Sequence, residues 1–235
     1  EPEVIVELGT HKGTSFFTFC QAIKDNRFQT KIYAVDTWCG EEHAGFYTEE
    51  VYESVVKIRI QYYSSVNSEL IRKTFDDAVN DFEDKSIDIL HIDGFHTYEA
   101  VRHDYNTWEC KVKDDGVIIF HDIFVPVDEV RSDFGVYLFW EEIRKKYKFI
   151  EFFHSYGLGV LFKGSDLYDE LINSNRNLQM IYTTNLEDMK NQKIRDVLEI
   201  KESTQAELSN AQVELSNAQA ELSNTQAELS NTQAE

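Results

Sequence analysis

The stretch VIVELGTHKGTS, residues 4–15, decides the fold of this chain. It opens with a mostly apolar run that ends at a glycine, a pattern typical of a strand buried on both faces of a sheet. Gly9 and Gly13 then bracket a turn, and the apolar spacing that follows predicts a helix from Thr14 to about Asp25. A buried strand, a glycine turn and a helix in this order begin a doubly wound α/β fold.

Strands and helices alternate along the chain beyond this unit, up to about residue 165. Alternation of this kind predicts a doubly wound, mainly parallel, seven-stranded Rossmann-like sheet, with ligands at the carboxyl ends of its strands. The last two strands are expected to close the sheet as an antiparallel pair. The predicted strands are 4–8, 31–36, a weak one near 62–66, 87–93, 116–121, 148–153 and 157–163, and the predicted helices are 14–25, 48–60, 75–82, 98–110 and 136–147.

The character of the sequence changes after Gly164, and from Gln205 it repeats every seven residues. Leucine recurs once in each repeat with alanine or threonine three residues later, which is the a/d seam of a left-handed coiled coil. A disordered low-complexity stretch is the alternative, because Ser, Asn, Thr and Gln are frequent. We therefore expect a folded domain over 1–164, a helical connector over 165–204, and a coiled coil over 205–235 that forms homo-oligomers or binds a partner helix.

Charge and composition exclude several classes of protein. The formal net charge of −20 repels phosphate backbones, and the short basic clusters at 111–113 and 144–146 lie beside acids, so binding to a nucleic acid is not expected. No stretch approaches the ~18 apolar residues of a membrane span, and no signal peptide opens the chain. The 3 cysteines show neither metal-ligand spacing nor a disulfide framework. We expect a cytoplasmic protein, brought to the inner face of the membrane only through partners.

The glycine turn indicates which kind of ligand it can bind. A dinucleotide fold needs a middle glycine in G-x-G-x-x-G, because the pyrophosphate packs on the backbone there. In this chain the middle position is His11 and the third is Thr14, which disfavours a pyrophosphate. A ligand with an amino-acid end and a nucleoside end remains compatible, and a tight turn without any ligand is the alternative.

Two acids at the ends of adjacent strands favour a ligand. Asp36 ends the second strand, where a carboxylate can accept both hydroxyls of a ribose. Glu7, one strand over, could receive an ammonium group directly or through water. The two acids beside a glycine turn fit S-adenosylmethionine, whereas an ordinary turn aspartate is the alternative for Asp36.

Aspartates and histidines follow the next two strands. Asp93 and His96 come after the fourth strand, and His121 and Asp122 come after the fifth, so all four are expected on the rim that carries the cofactor. A histidine near its unperturbed pKa of ~6.5 can take the proton of a hydroxyl that is being methylated. A divalent ion held by Asp93 and Asp122 could acidify that hydroxyl instead. In the alternative, His96 only caps the helix that begins near Thr97. The remaining histidines are expected in the core (His91) or in loops and at the surface (His11, His43, His103 and His154).

Four motifs together resemble a known family. They read VELGTxxGxS, AVDTWxGExHAGxY, LHIDGxHxYEAVxxD and GVIIFHDI, and they span roughly residues 3–163. The set is similar to class I methyltransferases often described only as "methyltransferase domain" proteins. Members of that group often accompany glycosyltransferases of bacterial surface-polysaccharide synthesis, and they are related to metal-dependent sugar O-methyltransferases. The resemblance implies S-adenosylmethionine as the cofactor, with Mg²⁺ as a second one if the relatives' metal site is kept.

The resemblance also implies roles for individual residues. Asp93 would lie near the transferring methyl group, with His96 or His121 as the base. The metal-dependent relatives carry adjacent acidic residues after the fifth strand, whereas this chain has His121 and Asp122, so a metal would rest on Asp93 and Asp122. The implied cofactor-binding residues are Glu7, Gly9, Thr10, Gly13 and Ser15 around the methionine end, Asp36 on the ribose, Thr37 and Trp38 beside the adenosine, Ser68 near the adenine, and Asp93.

The leading hypothesis for function is an O-methyltransferase that acts on a sugar hydroxyl or on the end of a surface glycan. The aromatic-rich segments 38–47 and 133–140 could cover such an acceptor. Methylation of a phenolic small molecule is a second hypothesis. A third hypothesis, from another class, is a non-catalytic scaffold that binds the cofactor and oligomerises through residues 205–235, although the intact glycines and strand-end acids argue against it.

Overall fold

The computed structural model describes residues 1–43, 45–125, 133–152 and 156–174. Strands and helices alternate along these residues, as the sequence predicted. The strands are β1 (Val4–Leu8), β2 (Lys31–Asp36), β3 (Gly40–Glu41), β4 (Gly45–Phe46), β5 (Ser68–Arg72), β6 (Ile87–Ile92), β7 (Val112–His121), β8 (Lys148–Phe152) and β9 (Leu158–Phe162). The helices are α1 (Thr14–Asn26), α2 (Glu49–Tyr63), α3 (Phe75–Ala78), α4 (Tyr98–Trp108), α5 (Val136–Ile143) and α6 (Ser165–Ser174), and short 3-10 turns follow α3, α4 and α5.

The main sheet has seven strands in the order β5-β2-β1-β6-β7-β9-β8. Its neighbouring strands are parallel, except that β9 is antiparallel to both β7 and β8. The prediction of a mainly parallel sheet closed by an antiparallel pair is thus confirmed. The strand order changes direction between β1 and β6, which is the point where open α/β sheets bind their ligands. Strands β3 and β4 form a separate small hairpin.

The third strand of the main sheet is the element that the sequence misplaced. Residues 62–66, predicted as a weak strand, lie at the end of α2 and in the turn after it, and the strand begins at Ser68. The Tyr63 ring stacks on Phe17 of α1, with centroids 5.2 Å apart, and Val66 is buried. These apolar residues therefore pack against a helix. The actual strand, SELIR, is mostly polar because it lies at the edge of the sheet.

A hydrophobic core covers each face of the sheet. On one face the buried helix residues come from α3, α4 and α5 and include Trp108 and Trp140. On the other face they come from α1 and α2 and include Phe16 and Val55. Burial on both faces explains why the central strands are nearly continuous apolar runs.

Helix α6 packs against the sheet as well. The ring of Tyr168 contacts that of Phe162 in β9, with centroids 5.4 Å apart, so the folded body continues past Gly164. The rest of the predicted connector and the predicted coiled coil over 205–235 lie outside the described residues. None of the helices in the described part of the chain is long and apolar enough to cross a membrane.

Candidate active site

A cavity of about 570 Å³ opens beyond the carboxyl ends of the central strands. Its volume falls in the range of small-molecule sites, roughly 300–1,000 Å³. The cavity joins the predicted cofactor loop to the predicted acceptor residues. The described residues that line it are Gly9, Thr10, His11, Lys12, Thr14, Ser15, Asp36, Thr37, Gly40, Glu41, Tyr47, Thr74, Phe75, Asp93, Gly94, Phe95, His96 and His121.

Gly9 brings the first turn into contact with the end of β6. Its φ of +87° is a left-handed value that favours glycine. A Cβ at this position would lie 1.9 Å from the carbonyl oxygen of Asp93, so a larger residue would displace the backbone. The amide of Asp93 in turn donates to the carbonyl of Leu8 at 2.9 Å. This close approach places the glycine loop and the acceptor residues around one cavity.

Asp36 organises the glycine loop by accepting three backbone hydrogen bonds. Its Oδ2 accepts from the amides of Thr10 (2.9 Å) and His11 (2.8 Å), and its Oδ1 accepts from the amide of Trp38 (2.7 Å). Gly13 closes the same turn, donating to the carbonyl of Thr10 at 2.7 Å. A carboxylate offers about four acceptor sites. Asp36 therefore has room for about one further donor, fewer than the two hydroxyls of a ribose.

The loop after β2 packs on the glycine loop. Trp38 is buried, and its Nε1 donates to the carbonyl of His11 at 2.9 Å. The ring of His11 stacks on that of Tyr47, with centroids 4.6 Å apart. Burial of the His11 ring, with the charge of Lys12 beside it, lowers its pKa. Trp38 thus supports the loop from behind, whereas its neighbour Thr37 lines the cavity.

Glu7 lies away from the cavity, although the sequence placed it at the cofactor. Its side chain is fully buried, and its Oε1 lies 3.0 Å from Nδ1 of His91, its cross-strand neighbour on β6. Its Oε2 is buried and has no hydrogen-bond partner among the residues that the structure describes. The structure therefore separates Glu7 from the expected ammonium site and shows His91 as the paired core histidine that was expected.

Ser68 also lies away from the lining. It begins β5, at the amino end of the sheet, whereas the cavity lies beyond the carboxyl ends. Thr74 and Phe75, which follow β5, form this part of the wall, and sequence reasoning missed them. A local signal was present, because the Thr74 hydroxyl caps α3 by accepting from the amide of Asp77 at 3.2 Å, and such a Thr-x-x-Asp pattern marks a helix start.

The other end of the cavity brings together the four predicted acceptor-side residues. Nε2 of His96 lies 2.9 Å from Oδ2 of Asp122 and 3.7 Å from Oδ1 of Asp93. Nδ1 of His121 lies 2.9 Å from Oδ1 of Asp122 and 3.6 Å from Oδ1 of Asp93. The two imidazoles and two carboxylates therefore form one compact cluster.

One polar atom of this cluster is buried without a partner. Within the described ranges Nδ1 of His96 makes no hydrogen bond, whereas Nδ1 of His121 and Oδ1 of Asp122 face each other at 2.9 Å as an ion pair without hydrogen-bond geometry. Buried polar atoms normally find partners, so the free nitrogen of His96 indicates room for a ligand. One ligand atom each from Asp93, His96 and Asp122 lie within 4.8 Å of one another, a spacing that a single cation could bridge.

The charges of the cluster stabilise protonated histidines beside ionised aspartates. Burial lowers the pKa of His96, but the carboxylates of Asp122 and Asp93 outweigh it and raise that pKa to about 9. The pKa of His121 is also raised, because the effect of the same two carboxylates exceeds that of burial, which lowers it. Burial alone would raise the pKa of Asp122, yet the two imidazoles lower it to about 2.

A stack of rings covers the acceptor end. The ring of Phe134 lies 4.8 Å from that of His96, at an angle of 8°, and 4.5 Å from that of His43. His43 also packs on Phe95 at 4.4 Å, and its Nε2 lies 2.9 Å from Oδ2 of Asp133. His43 lies in a loop, one of the two places expected for it, yet only 11% of its side chain is exposed. The two aromatic-rich segments expected to cover an acceptor therefore meet here.

Comparisons with curated proteins identify two relatives. The chain is 44% identical over 171 residues to the uncharacterized protein y4gI of Sinorhizobium fredii, which covers 72% of this chain and 18% of that protein. It is 31% identical over 122 residues to an uncharacterized protein of Acanthamoeba polyphaga mimivirus, which covers 50% of each. The chain thus spans at most half the length of these two relatives.

Solved structures share the fold. A proposed caffeoyl-CoA O-methyltransferase from Staphylococcus aureus superposes with a TM-score of 0.54 at 18% identity, over 69% of this chain and 77% of that one. A methyltransferase from Podospora anserina bound to SAH superposes with a TM-score of 0.51 at 13% identity, over 68% and 71%. At these identities the likeness shows the class I methyltransferase fold alone.

The family assignment rests on the sequence match. Residues 6–123 match the family described as "Methyltransferase domain". The matched span begins in β1 and ends just after β7, so it contains the glycine loop, Asp36 and the cluster of histidines and aspartates. The chain therefore belongs to the methyltransferase domain family.

Proposed function

We propose that this chain is an S-adenosylmethionine-dependent O-methyltransferase. The observation that carries the proposal is the single cavity that joins the glycine loop and Asp36 to the cluster around His96. Methyl transfer to a hydroxyl needs a cofactor and an acceptor held in line, with a base at the acceptor oxygen. The two ends of this cavity provide those two functions.

The cofactor would occupy the end near the glycine loop. Its amino-acid end would lie on Thr10 and on Ser15 at the start of α1, where a helix N-terminus favours a carboxylate. Asp36 would accept one ribose hydroxyl, and Thr37 with Phe75 would lie beside the adenosine. This arrangement keeps the predicted Gly9, Thr10, Ser15, Asp36, Thr37 and Asp93, and replaces Ser68 with Thr74 and Phe75.

The chemical step would take place beside Asp93. The acceptor oxygen attacks the methyl carbon, the carbon–sulfur bond breaks with its electron pair going to sulfur, and the acceptor proton passes to His96 or His121 in its neutral form. Because the aspartates raise the pKa of both imidazoles, to about 9 for His96, the population of this form grows as the pH rises. A base of this kind contributes about 10²- to 10⁴-fold to a rate. Asp93 and Asp122 hold both imidazoles in place at 2.9–3.7 Å.

Asp93 and Asp122 are also the residues that would hold Mg²⁺. Carboxylate oxygens are the ligands that Mg²⁺ prefers, and His96 would add a nitrogen ligand. Such an ion, when bound, would polarise and acidify the acceptor hydroxyl. Transfer that stops in EDTA and returns with Mg²⁺ would support the ion, and undiminished transfer in EDTA would reject it.

The acceptor that we propose is a sugar hydroxyl or the end of a surface glycan. The exposed faces of Tyr47 and Phe95 at the cavity suit the apolar face of a sugar ring. The same flat walls also suit a phenol, which is the second candidate. Within this proposal the enzyme works in the cytoplasm beside glycosyltransferases, and residues 205–235 link copies or bind a partner helix.

Binding and transfer test the proposal in two stages. Isothermal titration with S-adenosylhomocysteine should show one site per chain. A folded sample that binds neither S-adenosylhomocysteine nor S-adenosylmethionine would contradict the proposal that this chain is an enzyme. Methyl-labelled cofactor is then offered with neutral glycosides, oligosaccharides and phenols. Cofactor binding without methyl transfer to any of these compounds would favour the non-catalytic scaffold. Faster methylation of phenols than of glycosides would make a phenol, and not a glycan, the proposed acceptor.

A further inference from the structure

The β3–β4 hairpin and the residues before α5 converge on the acceptor end from distant parts of the sequence. Gly40 and Glu41 of the hairpin line the cavity, and His43 lies just beyond them. The amide of His43 donates to Oε2 of Glu41 at 2.5 Å, which fixes the histidine to the cavity wall. Asp133 and Phe134 approach from the other side.

His43 joins these two segments. Its Nε2 lies 2.9 Å from Oδ2 of Asp133, and the bond lowers the pKa of that carboxyl. Its ring fills the space between Phe95 and Phe134, with centroid distances of 4.4 and 4.5 Å. We call these four residues, His43, Phe95, Asp133 and Phe134, the latch.

The latch is coupled to His96 through Phe134. The two rings are nearly parallel at 4.8 Å, and Phe134 forms a β-bridge with Thr97. The amide of Gly135 donates to the carbonyl of His96 at 2.8 Å. A Cβ on Gly135 would lie 2.4 Å from the amide nitrogen of Tyr98, so this segment packs tightly on the backbone that carries His96. A shift of Phe134 would therefore shift His96.

We infer that His43 is a positioning residue for methyl transfer, which clamps Phe134 onto His96 and so fixes the imidazole against its two aspartates. His43 does not line the cavity, and its ring acts on His96 through Phe134 and through a direct ring contact with centroids 5.9 Å apart. This inference rests on the proposed function, because it assigns a task within the same reaction.

Amide hydrogen exchange followed by NMR tests the coupling without an acceptor. The reporters are Tyr47, whose amide donates to the carbonyl of Cys39 at the hairpin, and Gly135, whose amide donates to His96. His43→Phe keeps a ring but loses the hydrogen bond, and we expect exchange at both amides to rise about tenfold. Unchanged exchange, or a change at Tyr47 alone, would overturn the inference.

Two further variants keep the test decisive. Asp133→Asn weakens the same bond at a residue that is 55% exposed, so it tests the latch even if His43→Phe misfolds. His103→Phe is the matched control, because His103 pairs with Asp76 at 2.7 Å on the surface, with side chains 58% and 65% exposed. Exchange at Tyr47 and Gly135 should rise in the first variant and stay at the wild-type rate in the control. Equal effects in both would overturn the inference.

Kinetics separate positioning from a general structural role. With an acceptor found in the screen above, His43→Phe should lower kcat about tenfold and leave the Kd for S-adenosylhomocysteine within twofold. A parallel loss of cofactor affinity and kcat would overturn the positioning role. If the wild-type chain binds no cofactor, the proposed function fails, and the exchange result still decides whether the latch holds His96.

Discussion

The two ends of the cavity are built in different ways. At the cofactor end the backbone itself is fixed, because three of its amides donate to the carboxylate of Asp36 and Gly9 packs on the backbone of Asp93. At the acceptor end the residues are held by contacts between side chains, and within the described residues Nδ1 of His96 has no hydrogen-bond partner. A site held by the backbone is preformed, whereas one held by side chains can adjust to its ligand. The difference fits the proposed function, in which the cofactor binds at the preformed end and the acceptor at the other.

The largest effect is expected from a substitution at Gly9, which tests whether the backbone of the cofactor end can shift to accept a Cβ. Gly9→Ala places a Cβ 1.9 Å from the carbonyl oxygen of Asp93, and we expect cofactor binding to be lost and unfolding to occur at much lower temperature. Gly45→Ala is the matched control, because Gly45 has a similar φ of +82° but open space around its Cβ. The control should lose only about 1–2 kcal/mol of stability. Similar losses in both variants would mean that backbone conformation alone matters here.

The second prediction concerns the acceptor end alone. His96→Gln and His121→Gln remove the candidate bases, and the one that accepts the proton should lower kcat by about 10²- to 10⁴-fold. Affinity for S-adenosylhomocysteine, measured by titration calorimetry, should stay within about threefold of wild type, because that ligand is held at the other end. His103→Gln serves as the surface control. A large loss of cofactor affinity in either variant would contradict the assignment of the cofactor and the acceptor to separate ends of the cavity.

The third prediction returns to the cofactor end. Asp36→Asn keeps the shape of the side chain but removes the charge that three amides share, and we expect cofactor affinity to fall about 10²-fold. Asp25→Asn is the control, since Asp25 is exposed at the end of α1 and accepts a hydrogen bond from the side chain of Gln21 at 2.7 Å. Calorimetry should show unchanged binding in the control. If Asp36→Asn binds the cofactor with wild-type affinity, Asp36 is not a cofactor-binding residue.

The smallest effect concerns a buried acid beneath the acceptor end. Asp104 lies close to Gly94, and burial raises its pKa to about 7. Between pH 4 and 7 the folded chain keeps the Asp104 proton while the unfolded chain releases it, so this group lowers stability as pH rises. Asp104→Asn removes that slope, and its stability relative to wild type should grow by on the order of 2 kcal/mol over this range. Denaturant unfolding at several pH values measures it, and parallel curves for the two chains would contradict the assignment.

Local sequence patterns were enough for the fold and for much of the cofactor end. The glycine turn, Asp36 and the ends of β6 and β7 each follow a strand whose apolar run is visible in the sequence. Parallel strands bring such ends to one edge, so the sequence alone predicts that Asp93, His96 and His121 lie together. The edge strand β5 has no such apolar run, which is why Ser68 was placed at the wrong end of the sheet.

The contacts that escaped prediction depend on register and on distant segments. Glu7 and His91 are 84 residues apart, and only the pairing of β1 with β6 sets them side by side. His43 and Asp133 are 90 residues apart, in a loop and before a helix, where no periodic pattern fixes the geometry. Hydrophobic periodicity tells which face of an element is buried, but it does not tell which polar groups will meet there.

The buried pair of Glu7 and His91 has a consequence for how this sequence can change over time. Replacing either residue alone leaves its partner's polar group stranded in the core, a loss of about 3–5 kcal/mol when the pair is ionic. Replacing both with apolar residues of similar volume can cost little. The two positions should therefore evolve as a unit, and related chains should carry either both polar residues or neither.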